Sequence, residues 1–255
     1  MPASVARFWQ RVAHARTLAY TVKAWVPDVF GMHGSTPTKS VFFVYSTFEI
    51  KARRPDHVSI VRSPAANEYE TTEAGRTHTS FDAYGDDVYV SDGRRSLFLD
   101  TTLRIYQIGV APKTLNATGK KIGKDDPISW FRPAFDWFFD DHPMEGYKPS
   151  ADPRFSAAAV AVFQMDNPAQ PGLQDKIYFD RKTGELRRIS HFEKDDKGGW
   201  KETGRSEFRF WDFDPPIPAT VFDTRVPRGY RPQEELDREL EERQAGRLAP
   251  VVPMP

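Results

Sequence analysis

The stretch that decides the fold is 174–231, which reads QDKIYFDRKTGELRRISHFEKDDKGGWKETGRSEFRFWDFDPPIPATVFDTRVPRGYR. Alternating apolar residues predict strands at 176–180, 185–192, 200–213 and 221–225. Glycine- and aspartate-rich runs at 181–184 and 194–199 mark the reversals between the first three strands. The third strand ends at Pro215 and Pro216, because proline has no amide hydrogen to donate to a strand ladder. The stretch therefore predicts an antiparallel meander that closes one end of a larger sheet.

The rest of the chain carries further strand and helix signals. An amphipathic helix is predicted at 4–16, with Phe8 and Trp9 on its apolar face. We expect it to cover one mouth of the sheet, in preference to the alternative of a helix that touches a membrane. Predicted strands follow at 17–26, 40–53, 58–61, 87–91, 96–100, 103–110 and 154–165, with an edge hairpin at 67–84. Asp92-Gly93 is the sharpest hairpin signal. Two more helical segments are predicted, an aromatic one near 126–142 and a charged one at 233–245.

Several of these motifs resemble the LolA-like family of periplasmic lipoprotein carriers and their relatives. The resemblance rests on ARTLAYTVKAWV (15–26), KARRPDHVSIV (51–61), DDVYVSDGRRSLFLDTTLRIYQIGVAP (86–112) and the DPPIP…F…PRG ending (214–229), where Asp stands in place of the family's Asn. These motifs are turn and strand signatures, so they speak for the fold more than for an activity. The resemblance implies one domain at 1–231, followed by a charged helix and a proline-rich tail at 232–255.

About ten or eleven strands in one antiparallel sheet tend to curl, because neighbouring strands twist against each other. We therefore expect a mainly β (α+β) fold, a single strongly curved sheet forming a half-open barrel. The resemblance implies helices in or over its concave side.

Composition narrows the functional class. The 36 basic and 36 acidic residues balance, so no net charge attracts nucleic acid or an anionic membrane over a distance. The chain has no cysteine, which excludes disulfides and thiolate chemistry. No apolar run approaches the length of a membrane-spanning helix. Residues 1–15 lack the apolar core of a signal peptide; because the resembled family is exported, we expect a periplasmic mature chain.

A curled sheet encloses more space than its own side chains fill, and the many Phe and Trp residues supply an apolar lining. This predicts a non-enzymatic binder of an acyl chain, a lipid or a lipidated protein in the bacterial envelope. The candidate lining residues are Phe42, Val44, Phe48, Trp130, Phe135 and Phe138. Each of them is equally compatible with an ordinary filled core.

Two other classes of function stay open. A periplasmic sensor or regulatory module would use the charged helix and tail at 233–255 to contact a protein partner. An enzyme is disfavoured, because the six histidines show no HExxH or metal spacing and no serine stands in a nucleophile elbow. The 119–124 run lacks the Walker spacing of a phosphate loop, and Asp140-Asp141-His142 reads as a helix-end charge cluster. We expect no cofactor and no metal.

Overall fold

The fold is seen in a computed structural model that describes residues 1–27, 43–63, 68–73, 76–81, 86–111, 144–167 and 170–244. The predicted aromatic helix near 126–142, the 119–124 run and the 245–255 tail lie outside these ranges.

Two helices, fourteen strands and one 3-10 helix make up the described part of the chain. The helices are α1 (Ala3–His14) and α2 (Gln233–Gln244), and the 3-10 helix is Ala219–Phe222. The strands are β1 (Thr17–Pro27), β2 (Phe43–Arg53), β3 (His57–Ser63), β4 (Glu68–Glu73), β5 (Arg76–Phe81), β6 (Asp87–Asp92), β7 (Arg95–Asp100), β8 (Ile105–Val110), β9 (Lys148–Ser150), β10 (Val160–Asp166), β11 (Leu173–Asp180), β12 (Leu186–Lys194), β13 (Trp200–Phe213) and β14 (Arg231–Pro232).

All fourteen strands of the described ranges belong to one sheet, in the order β14-β8-β7-β6-β3-β2-β1-β13-β12-β11-β10-β9. The hairpin β4–β5 branches off this path and pairs with the start of β2. The prediction of a single large sheet is confirmed, but the sheet has more strands than predicted and is mixed, because β14 pairs with β8 in parallel. Its strong curvature stays a prediction.

The first strand of the chain lies in the middle of the sheet. On one side β1 pairs with β2 along its whole length, from Thr17 opposite Arg53 to Pro27 opposite Phe43. On the other side it pairs with β13, which is the last long strand. The meander β11–β12–β13 therefore joins the N-terminal half of the sheet through β1, and β10 and β9 continue beyond it to the edge.

Three sequence predictions about strands are wrong, and in each case local hydrogen bonds explain the difference. The 154–159 segment forms turns instead of a strand, because Asp152 Oδ1 accepts the Arg154 amide (3.0 Å), and β10 begins only at Val160. Leu103 lies in a turn before β8 and is 55% exposed, since Asp100 Oδ1 accepts its amide (2.8 Å). The 221–225 segment is a 3-10 helix that runs into an extended chain, with the Val221 amide donating to the Pro218 carbonyl (3.1 Å).

A bulge in β13 changes which side chains face the core. Between Ala19 and Thr21 of β1, the partner strand β13 contains one extra residue, and Phe210 takes a positive φ of 56°. Strict alternation would place Phe210 on the side of Phe208. Instead Phe210 is 78% exposed and Trp211 packs against the core, since a bulge shifts the alternation by one residue.

Candidate ligand-binding face

One face of the sheet carries a continuous apolar surface, which we call the core face. It runs across nine neighbouring strands from β7 to β10, a width of about 38 Å at about 4.8 Å per strand. Every one of these strands contributes at least one buried residue to a single cluster. In strand order, examples are Phe98, Tyr89, Ile60, Phe48, Tyr20, Phe208, Ile189, Ile177 and Phe163.

Helix α1 covers one part of the core face, as its apolar stripe predicts. Val5, Phe8 and Val12 are buried, and Trp9 packs beside them. The Phe8 ring meets Trp211 edge-to-face at 5.1 Å between centroids and approaches Phe213 at 6.0 Å. These contacts place α1 over the ends of the strands β11 and β13, where it seals an aromatic cluster.

Helix α1 is fixed at its first residues by the turn between β11 and β12. Gly184 in that turn has a positive φ of 78°, and a Cβ atom on it would lie 2.0 Å from the Ser4 carbonyl oxygen. The helix backbone therefore rests directly on the turn, and only glycine permits this approach.

The other end of α1 is held by side chains from two distant segments. Arg54 donates from Nη2 to the Val12 carbonyl (2.9 Å) and from Nε to the Ala15 carbonyl (3.0 Å), which satisfies carbonyls that the helix end leaves free. Asp214 Oδ1 accepts the amide of Arg16 at 2.7 Å. A helix anchored at both ends is a fixed cover rather than a moving lid.

The anchors also show how much of the core face α1 can cover. Twelve residues span about 18 Å, which matches the four strand spacings from β11 to β2, about 19 Å. A helix is about 10 Å wide, so α1 crosses one end of these strands; that it covers a mouth of a curved sheet stays a prediction. The core face on β3, β6 and β7 extends well beyond it.

The structure tests only part of the predicted lining set. Phe48 lies on the core face and is 5% exposed. Val44 pairs with Tyr69 through its backbone, but its side chain is outside the described part of the chain. Phe42, Trp130, Phe135 and Phe138 also lie outside it. The sequence reasoning did not single out Ile60, Tyr89 and Phe98 as core-face residues, because buried residues stand on both faces of their short strands and leave no clear alternation.

The opposite face of the meander combines buried rings, those of Tyr178 and Phe192, with charged side chains, and the 151–159 segment lies against it. Asp152 is buried and accepts hydrogen bonds from Arg154 Nη2 (2.7 Å) and from the Tyr178 hydroxyl (2.8 Å). These hydrogen bonds, with Arg154 first, hold the pKa of Asp152 well below its usual range. Arg154 continues to Glu202 (3.0 Å), which also pairs with Arg188. Every charge in this network has a partner, so the network clamps the segment to the sheet.

A small polar cleft lies at the edge of the sheet beside β9 and β10. Its volume is about 280 Å³, and its lining includes Lys148, Ser150, Gln164 and Asp166. Gln164 accepts from Ser150 (3.1 Å), and both Gln164 and the buried Gln174 donate to Asp166. The polar lining makes the cleft unsuitable for an acyl chain.

The structure offers no catalytic constellation within its described residues. In those ranges no group of three or more His, Asp or Glu side chains is arranged to hold a metal ion. His57 and His191 each contact a single carboxylate, that of Asp56 and Asp175 respectively, at 2.7 Å. Asp140-Asp141-His142 lies outside the described part. None of the helices described is long and apolar enough to cross a membrane.

Comparison with known proteins gives structural matches alone. No family model matches the chain, and no curated protein matches it in sequence. Similar solved structures include an uncharacterized conserved protein from Thermus thermophilus, at 9% identity and a TM-score of 0.41, over 90% of this chain and 98% of that one. MucB in complex with MucA(peri) matches at 14% identity and a TM-score of 0.35, over 85% of this chain and 58% of that one.

A LolA superfamily protein from Nitrosomonas europaea matches at 9% identity and a TM-score of 0.30, over 86% of this chain and 97% of that one. Its family name is the one that the sequence motifs resemble. All three TM-scores are low, so the function is argued from the geometry of this chain.

Proposed function

We propose that this protein binds a hydrophobic ligand, namely an acyl chain, a lipid or a lipidated protein, in the bacterial cell envelope, and does so without catalysis. The observation that carries the proposal is the core face, an apolar surface nine strands wide, of which α1 spans only the strands from β11 to β2. The side chains of this face on β3, β6 and β7 are buried, so a bound acyl chain would replace part of their present cover and gain about 0.8 kcal/mol per methylene group moved out of water.

The ligand site lies on the half of the core face that is remote from α1. Phe42, Val44 and Phe48 of the predicted lining belong to the strand β2 or its immediate approach, and Ile60 and Tyr89 continue the same surface on the next two strands. Trp130, Phe135 and Phe138 would cover the ligand from the aromatic segment. Because α1 is anchored at both ends, entry of the ligand leaves α1 in place.

Two measurements test the proposal. Mass spectrometry of organic extracts of the native protein should find acyl lipids in stoichiometric amount, and the delipidated protein should take up a fluorescent fatty acid. Failure of the delipidated protein to bind such a probe would contradict the proposal.

A matched pair of variants locates the site. Phe48 and Phe163 are both 5% exposed on the core face, but Phe163 lies on β10, where it contacts Phe179 beneath α1 (5.8 Å). Phe48→Leu should weaken probe binding about tenfold, since lost apolar contact in a pocket costs about that factor. Phe163→Leu should lower stability similarly and leave the affinity unchanged. Equal affinities in the two variants would refute the location.

A sensor or regulatory module is the second candidate, and the placement of α2 favours it. α2 lies beside β8 and β14 at the edge of the sheet, tied by the Arg231–Glu239 ion pair (2.8 Å). Its exposed side chains are mostly acidic, and Leu240 is 48% exposed. Under this proposal, removal of 233–255 abolishes binding of an envelope protein and leaves probe binding intact; partner binding that survives the deletion would contradict it.

A further inference from the structure

The zero net charge of the chain conceals a separation of charge along the fold. The first seventeen residues contain Arg7, Arg11 and Arg16 and no acidic residue. α2 has the opposite character, with six acidic residues at 234, 235, 237, 239, 241 and 242. The net charge of zero therefore holds for the chain as a whole, whereas the local electrostatic potential differs between its basic start and acidic α2.

The basic residues gather at one end of the strands. The register places the start of β1 opposite the end of β2 and the end of β13. At the same end of the sheet, His57 at the start of β3 lies opposite Asp92 at the end of β6. The β11–β12 turn lies at this same end, because α1 rests on it and runs from there to the start of β1. Six exposed side chains stand in α1 and these turns, and we call them the basic rim: Arg7, Arg16, Arg94, Arg95, Arg181 and Lys182.

The side chains of the basic rim are exposed and have no acidic partners, although Arg181 donates from Nε to the Val160 carbonyl (3.3 Å). None of the six forms an ion pair with a carboxylate in the described part of the chain. Elsewhere in the same ranges arginines are paired, as Arg154 is with Asp152 and Arg188 with Glu202. The exposed lysines of the β12–β13 hairpin also form no ion pair in these ranges, but the exposed acids Glu193, Asp195 and Asp196 stand among them, so the basic rim is distinguished by its surplus of cations.

The carboxylates of the same turns explain this difference. In three places one aspartate oxygen accepts two successive backbone amides, at distances of 2.7–3.3 Å. The acceptors and their donors are Asp180 with the amides of Lys182 and Thr183, Asp92 with those of Arg94 and Arg95, and Asp214 with those of Arg16 and Thr17. These aspartate carboxylates bind backbone amides of their own turns. They are therefore not available to pair with the exposed Arg and Lys side chains of the same turns.

We propose that the basic rim docks the protein on the anionic surface of a phospholipid bilayer. The rim extends from β7 to β11, about 34 Å, and draws its charges from separate turns. Protein interfaces centre on buried aromatic or apolar anchors, yet α1 and these turns contain no exposed large apolar residue within the described ranges; Met1 precedes α1, and Phe210 lies three residues before the end of β13. A dispersed set of cations with hardly any apolar anchor matches a bilayer surface, where phosphate groups are present at every position.

Docking of this kind is electrostatic and peripheral. The apolar face of α1 is buried against the sheet, so α1 cannot also insert into the hydrocarbon region. The contact therefore presents the polar side of α1 and the adjacent turns to the headgroups. The proposal is independent of the hydrophobic ligand proposed above.

Vesicle sedimentation tests the proposal with a charge-matched pair of variants. Arg7→Gln/Arg94→Gln/Lys182→Gln removes three cations from the basic rim. Lys194→Gln/Lys197→Gln/Lys201→Gln removes three exposed lysines from the β12–β13 hairpin at the other end of the strands. Both variants carry the same net charge, so they separate the position of the charges from their number.

The wild type should bind vesicles that contain phosphatidylglycerol, bind vesicles of pure phosphatidylcholine weakly, and lose binding as salt rises. Each cation near an anionic surface contributes roughly a factor of five, so the rim variant should lose about a hundredfold and the hairpin variant little. Arg7→Lys/Arg94→Lys should bind as the wild type does, because charge and not geometry is needed.

Four outcomes would overturn the proposal. The first is a wild type that ignores phosphatidylglycerol at low salt. The second is an equal loss in the two triple variants. The third is a protein that ignores vesicles but uses the basic rim to bind an acidic polypeptide. Equal binding to both kinds of vesicle would also overturn it, since it would indicate capture of acyl chains instead of docking by charge.

Discussion

Replacement of Gly184 by alanine tests whether α1 is seated on the β11–β12 turn. Two costs are expected. The first is the strain of an L-residue at a φ of 78°, about 1–2 kcal/mol. The second is a collision of the new Cβ with the Ser4 carbonyl oxygen, 2.0 Å away, which the backbone relieves only by lifting the start of α1. Val5 and Phe8 then lose burial, at about 1.5–3 kcal/mol each.

Gly229 provides the control, because it shares the strain without the collision. Its φ is 90°, and a Cβ there meets nothing within 4 Å. Gly229→Ala should therefore cost about 1–2 kcal/mol, and Gly184→Ala at least about 3 kcal/mol more. Urea unfolding of both variants, followed by tryptophan fluorescence, measures the difference. Equal losses of unfolding free energy in the two variants would show that α1 does not rest on this turn.

Three further predictions concern the polar network, the segment after β13 and the C-terminal helix. Asp152→Asn should lower the unfolding free energy at neutral pH by about 2 kcal/mol, because it weakens charge-assisted hydrogen bonds to a buried carboxylate whose partner Arg154 is 46% exposed. Since folding depresses the pKa of Asp152, this difference is complete above the unfolded-state pKa of about 4 and shrinks as the pH falls below it; urea unfolding at several pH values measures it, and a difference that does not change with pH would contradict the prediction. Phe222→Ala should cost about 3–5 kcal/mol, because Phe222 is 2% exposed and packs on His57 (5.4 Å), whereas Phe210→Ala at an exposed position should cost little; comparable thermal shifts in the two would count against this packing. Deletion of 233–255 should leave the cooperative unfolding of the sheet and cost about 1 kcal/mol, the scale of a surface ion pair, and a lost unfolding transition would contradict the proposed domain boundary at 231/232.

The sequence predicted best those strands that have strong terminators. The bounds of β13 were predicted correctly, because glycines at 198–199 precede it and the prolines from Pro215 follow it. The β6–β7 hairpin was predicted from Asp92-Gly93, and Gly93 has the positive φ that such a turn requires. The apolar face of α1 followed from residues spaced three and four apart.

The errors arose where a single side chain or a distant strand decides the conformation. No pattern in the alanine-rich 155–159 segment indicates that the Asp152 carboxylate will hold it in turns. The pairing of β14 with β8 depends on a segment that runs from Asp214 to Tyr230 across the ends of the strands, and no periodicity encodes such a route. The extra residue at Phe210 likewise becomes visible only in the register with β1.

The predicted ligand-lining residues show the same limit of sequence-based prediction. Phe48 was chosen for its place in a long apolar strand, and it does face the core. Tyr89 and Phe98 face the same core, but each of their strands is only six residues long, so their orientation becomes evident only from the pairing with β3.

The central position of β1 bears on how the molecule acquires its shape. β1 finds one neighbour in the next strand of the chain, but its other edge waits for β13, almost the full length of the polypeptide later. Contacts between such remote positions slow folding, because a long loop must close before they form. On the ribosome, the middle of the sheet would keep an unpaired edge until β13 had emerged. The synthesis of β13, rather than growth of the early strands, would then allow the two halves of the core to join.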